Sequence, residues 1–231
     1  MQIEKLAWDS GFFGYPIGKL QIATFEELDN TLFESIARPF QLVYVFSSVP
    51  LRSNLLKHVD TKTTLSQTLG DAIKLEDDPY VCSFVNGVHS YENLEQLALE
   101  SGVYSRFKVD TNFKSNEYER LYTKWIQNSV KDHGAFNTGI YYKNEKILGF
   151  TTVEKKTATL ADIGLVAVDS SARGKGIGTL LIEDAKKKAY KKGFRKIQVV
   201  TQAANTSAIA LYERCNFNIE EQKYIYHHWN K

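Results

Sequence analysis

Two cysteines in a chain of 231 residues, Cys82 and Cys215, stand far apart with no Cys-x-x-Cys spacing and no accompanying histidine pattern. That scarcity excludes a disulfide framework and offers no metal-ligand set, so both thiols are expected to be buried or incidental and no metal is expected. Net charge is equally thin, at +2, which removes any global argument for nucleic acid or an anionic membrane as a partner. Long apolar runs are missing too. No stretch approaches the roughly twenty apolar residues of a membrane span, and the opening MQIEKLAWDSGFFGYPIG has no basic segment leading into an apolar one, so a cytoplasmic protein is expected. No repeat or low-complexity tract is present. What remains is an ordinary globular composition, 43% hydrophobic and 24% charged, in a chain long enough for one large domain or two small ones.

Asp77-Asp78-Pro79, a charged turn ending in proline, divides the pattern into a small N-terminal α/β unit over 1–77 and a larger one over 78–231. In the first, residues 3–6, 17–22 and 42–46 read as strands, and Thr24 with Glu27 reads as a capping box for a helix carrying Leu28, Leu32, Phe33 and Ile36. Residues 51–58 read as a short helix after Pro50, and 61–69 as extended. The aromatic turn Trp8-Asp9-Ser10-Gly11-Phe12-Phe13-Gly14 is either packed core or a functional corner. The second unit reads as a helix over 91–101, a longer amphipathic helix from Ser115, a meander of three strands over 136–142, 147–153 and 158–168, and then helix, strand, helix, strand. Its closing strand, 224–228, is expected to be exposed, to carry His227 and His228 in solvent, and to be free to pair across a two-fold as a homodimer.

The most informative stretch is ATLADIGLVAVDSSARGKGIG, residues 158–178. Residues 163–168 form a continuous β-branched-rich run suited to a strand buried on both faces. In Arg173-Gly174-Lys175-Gly176-Ile177-Gly178 the glycines let consecutive N–H groups close on an anion at a helix start. A P-loop would need Ser or Thr after Gly-Lys, and Lys175 is followed by Gly176. A dinucleotide fingerprint would need G-x-G-x-x-G early in the chain, and here the glycines stand as G-x-G-x-G late in it. Both fail.

This run resembles the coenzyme A pyrophosphate arm of the GNAT superfamily of N-acyltransferases, and the element order over 78–231 is similar to that of the superfamily. Ser105-Arg106-Phe107 with Asp110, the helix carrying Tyr122, Trp125, Ile126 and Ser129, Asn205 followed by Ala208, Leu211 and Tyr212, and the N-terminal aromatic turn more narrowly resemble the bacterial dTDP-fucosamine acetyltransferase family. That family N-acetylates an amino-dideoxy sugar on a nucleotide. The resemblance implies a mixed α/β fold whose central mixed sheet has a splayed strand pair flanked by helices, with acyl-coenzyme A as co-substrate and a nucleotide sugar as acceptor. It implies that Arg173, Gly174, Lys175, Gly176, Ile177 and Gly178 hold the pyrophosphate. Leu165, Val166 and Val168 would position the pantetheine, a main-chain N–H near Val166 would polarise the carbonyl, and Asn205 would contact the coenzyme. Tyr212 would be the general acid, its phenol being protonated at neutral pH, although packing on Ile209 is the plainer reading. Arg106, Phe107, Phe12 and Phe13 would meet the acceptor, Arg106 as a diphosphate clamp or equally as an ion-pair partner of Asp110. Cys215-Asn216-Phe217 departs from the Gly-Phe ending common in the family, a change at a turn. No general base announces itself, Glu154 and Asp162 being unsupported. The lysine run Lys186, Lys187, Lys188, Lys191 and Lys192 reads as a solvated helix face. A transferase for another amine, such as a protein N-terminus or a polyamine, and a non-catalytic binding module stay open, as does the length of the acyl group.

Overall fold

A computed structural model describes residues 1–22, 28–70, 77–114, 116–131 and 135–230. The chain opens with β1 (Glu4–Lys5), α1 (Ala7–Phe13), β2 (Ile17–Ile22), α2 (Asn30–Ala37), β3 (Leu42–Ser47) and β4 (Lys57–Thr68). Then come β5 (Val81–Ser83), α3 (Tyr91–Ser101), α4 (Arg106–Val109) and α5 (Glu117–Val130). The meander is β6 (Asn137–Lys143), β7 (Lys146–Lys155) and β8 (Leu160–Val168), and the chain closes with α6 (Ile177–Lys191), β9 (Lys196–Gln202), α7 (Thr206–Arg214) and β10 (Asn218–Trp229).

Among the described residues ten strands join one mixed sheet in the order β1-β2-β3-β10-β4-β9-β8-β7-β6-β5. Only β2 with β3 and β8 with β9 run parallel; the remaining pairs are antiparallel. Both faces are covered, as neighbouring residues of β6 demonstrate: Ile140 packs with Leu94, Leu97 and Ile126 of α3 and α5, while Tyr141 packs with Ile177 and Leu181 of α6. Asn144 and Glu145 both have positive φ, +51° and +59°, the conformation a two-residue hairpin between β6 and β7 requires.

Several expectations are corrected here. The expected helix over 51–58 is not formed: Lys57 and His58 already belong to β4, whose run of Val59, Thr61, Thr63 and Thr64 has strand chemistry. The closing strand is not exposed, because β10 pairs with β3 on one side and β4 on the other. His227 and His228 are accordingly buried, at 1% and 8% exposure, and the strand has no free edge from which to build a dimer. The expected capping box of Thr24 and Glu27 lies outside the described residues; α2 starts instead at Asp29, whose carboxylate accepts from the Leu32 N–H at 3.0 Å. Ser115 also lies outside them, and α5 is described from Glu117. Lys186 and Lys187 are buried rather than solvated. Lys186 Nζ reaches Glu183 at 2.6 Å and the Cys215 carbonyl at 3.1 Å, and Lys187 pairs with Asp77 and Asp184.

Two irregularities position the site. β8 pairs with β9 only from Leu160 opposite Lys196 to Ile163 opposite Val199, after which the two strands part. The cause lies on the other edge of β8, where Thr151 faces Val166 and Val153 faces Ile163, so that Gly164 and Leu165 together oppose the single Thr152. This is a β-bulge, which bends its strand. The Leu165 N–H donates to Thr152 Oγ1 at 2.9 Å, and a Cβ on Gly164 would lie 2.9 Å from the same oxygen, so glycine is needed for the approach. The second irregularity is on β4. Ile225 of β10 faces Asp60 and the next residue, Tyr226, faces His58, leaving Val59 as the extra residue of a bulge beside Asp60.

Candidate acyl-transfer site

Where β8 and β9 part, a cavity of about 1310 Å³ opens and runs between two chemically different ends. One end is the loop into α6. Gly174 and Gly176 have φ of +75° and +80°, and neither would meet any atom within 4 Å if given a Cβ. The alternating glycines therefore form a concave run of main chain facing open space. Gly176 is the N-cap of α6 and supplies no side-chain acceptor, so the first N–H groups of a fifteen-residue helix point outward uncapped, with the positive end of the helix dipole behind them. Such a cradle suits a pyrophosphate. Arg173 flanks it, its Nε donating to the Val168 carbonyl at 3.0 Å and its Nη2 lying 3.6 Å from Glu100 Oε2, while Lys175 Nζ donates to the Ser171 carbonyl at 3.0 Å. Gly178 faces α7, where a Cβ would sit 3.0 Å from Leu211. Replacing Gly176 by valine puts a β-branched residue at positive φ and a side chain into the cradle; the expected result is at least a tenfold weaker Kd for acetyl-coenzyme A by calorimetry, with a folded circular-dichroism spectrum.

Leu165, Val166 and Val168 of the diverging strand line the cavity wall. Of the main-chain donors near Val166, the Leu165 N–H is already taken by Thr152. Across the gap, Asn205 caps α7, its Oδ1 accepting from the Ala208 N–H at 3.3 Å and from Ser207 Oγ at 3.1 Å. Tyr212, on the same helix, lines the cavity at 5% exposure. Burial, reinforced by nearby Cys215, pushes its phenol above the ordinary 10, so it holds its proton throughout the neutral range. The turn that follows is the family departure noted above, and Asn216 solves it by adopting φ +66°, a conformation asparagine tolerates better than most residues.

The other end is built from the N-terminal third. Trp8, Asp9, Lys19, Phe46, Asp60 and Lys62 line it together with Arg106, Phe107 and Tyr122. Arg106 is not paired with Asp110. Its guanidinium lies over the Phe107 ring at 4.4 Å and the Tyr44 ring at 4.8 Å, with a buried Nε that has no hydrogen-bond partner. Asp110 is held instead by His227 Nδ1 at 2.7 Å, Trp229 Nε1 at 2.8 Å and Lys57 Nζ at 2.9 Å. The aromatic turn splits between the two readings left open for it. Phe13 is core, 6% exposed and packed against Phe107 and Phe113, whereas Phe12 backs Trp8, stacked at 5.1 Å, and it is Trp8 that faces the cavity. Asp60 and Lys62 escaped the sequence reading, although their alternation with Thr61, Thr63 and Leu65 is the pattern of a strand with one polar face.

Among the described residues no group of histidine, cysteine or acidic side chains is arranged to hold a metal ion, and no helix is long and apolar enough to cross a membrane.

Comparison with known proteins agrees with this geometry. Residues 103–217 match the model of the acetyltransferase (GNAT) family. The chain is 24% identical over 208 residues to the spore coat polysaccharide biosynthesis protein SpsD of Bacillus subtilis, covering 85% of this chain and 70% of that one. It is 32% identical over 85 residues to a mycothiol acetyltransferase of Corynebacterium glutamicum, covering 37% of this chain and 29% of that one. The crystal structure of a GCN5-related N-acetyltransferase from Sphaerobacter thermophilus superposes with a TM-score of 0.55 at 21% identity, covering 80% of this chain and 59% of that one. The chain thus spans less than two thirds of the length of the last two proteins. The matched segment contains the parted strands, the glycine cradle and the helix of Tyr212, and residues 103–217 form an acetyltransferase domain of the GNAT family.

Proposed function

We propose that this protein transfers an acyl group from coenzyme A to the amine of a dTDP-linked amino-dideoxy sugar. The observation that carries the reading is the two-ended cavity: an anion cradle at Arg173 to Gly178 and, at the far end, Lys19, Lys62 and Arg106 beside Trp8 and Phe46. Cations next to flat aromatic faces suit a nucleoside diphosphate, the charges meeting phosphate and a ring stacking on the base. SpsD, by its description, works in polysaccharide biosynthesis, which is consistent with a sugar acceptor.

Acyl-coenzyme A supplies a thioester, whose carbonyl is electrophilic and whose sulfur can leave. Arg173, Gly174, Lys175, Gly176, Ile177 and Gly178 hold the pyrophosphate, and Asn205 borders the coenzyme. Leu165, Val166 and Val168 present main chain along the acyl arm, where an N–H polarises a carbonyl. Tyr212 holds a proton at its hydroxyl for the departing sulfur. Arg106, stacked on aromatic rings and with no ion pair among the described residues, and Phe107 face the acceptor.

The test is to mix the protein with acetyl- and longer acyl-coenzyme A and a panel of dTDP-amino sugars, and to follow free thiol. Saturable thiol release with at least one sugar is expected. Release with a peptide amine or polyamine, and silence with every sugar, would replace the sugar by that amine as the acceptor.

A further inference from the structure

We infer that the Asp60 carboxylate is the base that takes a proton from the acceptor's ammonium group, an assignment that rests on the acyl-transfer reading above. Five carboxylates line the cavity, Asp9, Asp60, Glu100, Glu154 and Asp162, and Glu100 is paired with Arg173 at 3.6 Å. Asp162 is committed, accepting from Lys156 Nζ at 3.1 Å and Gln198 Nε2 at 2.9 Å. Glu154 is exposed to solvent. Asp9, on α1 beside Trp8, and Asp60 are both partly shielded, and neither makes an ion pair among the described residues. Asp60 differs from Asp9 in its placement: it lies within the sheet, where the bulge at Val59 re-aims it and β4 runs alongside the end of β9. Strand alternation puts Asp60 and Lys62 on the polar face, opposite Leu65, which is packed in the core under α6 and α7.

Its surroundings suit a proton acceptor. Burial pushes the Asp60 carboxyl up to about 7, against the opposing pull of Arg106, the Thr61 N–H and Lys62, and a base performs best when its pKa lies near the working pH. The groups facing it are Arg106 from α4, Tyr122 from α5 and Lys62 from its own strand, while β10 presents Ile225. Arg106 and Lys62 would hold acceptor phosphate, and Asp60 is the carboxylate beside them on the cavity wall that an ammonium group would approach. In the step itself one N–H bond of the ammonium breaks, its electron pair stays on nitrogen as the nucleophilic lone pair, and the proton forms an O–H bond on Asp60. That proton then leaves to water through the open cavity.

The experiment compares wild type with Asp60→Asn, which can still accept the Thr61 N–H, and with Asp60→Glu, using acetyl-coenzyme A and a dTDP-amino-dideoxyhexose. For wild type, kcat/KM should rise with pH and level off above about 7. Asp60→Asn should be lower by about 10²-fold at neutral pH, with the deficit shrinking as pH rises and the amine deprotonates unaided, while Kd for acetyl-coenzyme A is unchanged. Asp60→Glu should recover part of the loss. A ¹³C carboxyl resonance titrating near 7 should be present in wild type and missing from Asp60→Asn. A uniform loss at every pH, or an unchanged profile, or no neutral carboxyl titration, would overturn the assignment of Asp60 alone. A wild-type chain that acylates no amine, despite binding acetyl-coenzyme A, overturns the acyl-transfer reading instead.

Discussion

Removing the Tyr212 hydroxyl as Tyr212→Phe is expected to lower kcat by on the order of 10² or more, the usual contribution of a positioned proton donor. The substitution is close to isosteric within a cluster that includes Leu65, Ile182 and Phe217, so the melting temperature should stay near that of wild type. Because no other atom among the described residues hydrogen-bonds the phenol, no partner is left orphaned by its loss. The size of the effect follows from two acidities. A thiol titrates near 8.5, and burial holds the Tyr212 phenol above 10, so outright transfer to a thiolate is uphill. The hydroxyl would therefore act mainly as a hydrogen-bond donor to sulfur as charge develops there. Steady-state thiol release, with Kd for acetyl-coenzyme A measured in parallel, checks this. A fall in kcat at constant Kd is expected, and full retention of turnover would remove the acid role.

Asp110→Ala is expected to destabilise the protein by about 3–5 kcal/mol, the cost of leaving buried partners uncompensated. The Asp110 and His227 side chains are both fully enclosed, and the carboxylate receives hydrogen bonds from His227, Trp229 and Lys57. Burial alone would raise the Asp110 carboxyl, but those three donors outweigh it and hold the group well below the carboxylate range. For His227 burial wins, lowering it from 6.5 to about 4 despite the Asp110 hydrogen bond. The sign follows from proton counting. Between pH 6.5 and about 4 the unfolded chain binds a proton at this histidine and the folded chain does not, so stability falls as pH falls through that window. Asp110 adds its own loss only below the ordinary carboxylate value of 3.8. Urea unfolding at a series of pH values measures both effects, the Asp110→Ala difference being read at pH 7.

How far the sequence could be read depended on whether a feature was local. The helix over 91–101, the turn between the strands over 136–142 and 147–153, and the alternating glycines leading into a helix are each specified within a few neighbouring residues, and the structure forms them where the pattern put them. The parted strands were implied by the family resemblance, and the bulge at Gly164 and Leu165 supplies their cause. Other features depended on which strand lies beside which. A strand as polar as β4, or one ending His227-His228-Trp229, reads as a surface element until its neighbours are known. β4 in fact runs between β9 and β10, and this alone buries His227, brings Asp60 and Lys62 to the cavity and removes the free edge once expected of β10. The ion pair left open for Arg106 fails for a similar reason: Asp110 is four positions on, but its oxygens are occupied by residues from β4 and β10.

The place of β4 also has a consequence for how the chain is made. Residues 57–68 leave the ribosome long before either strand that flanks them, yet Lys62 ends opposite Gln202 on one side and Lys223 on the other. Until β9 is synthesised, β4 has no native neighbour on either side and presents two bare rows of peptide groups, and one row stays bare until β10 follows. Contacts that span most of the chain are slow to form because loop closure comes before any gain from pairing. Sheet completion must therefore await β10, and a nascent chain that has not reached it would be the form most exposed to edge-to-edge association.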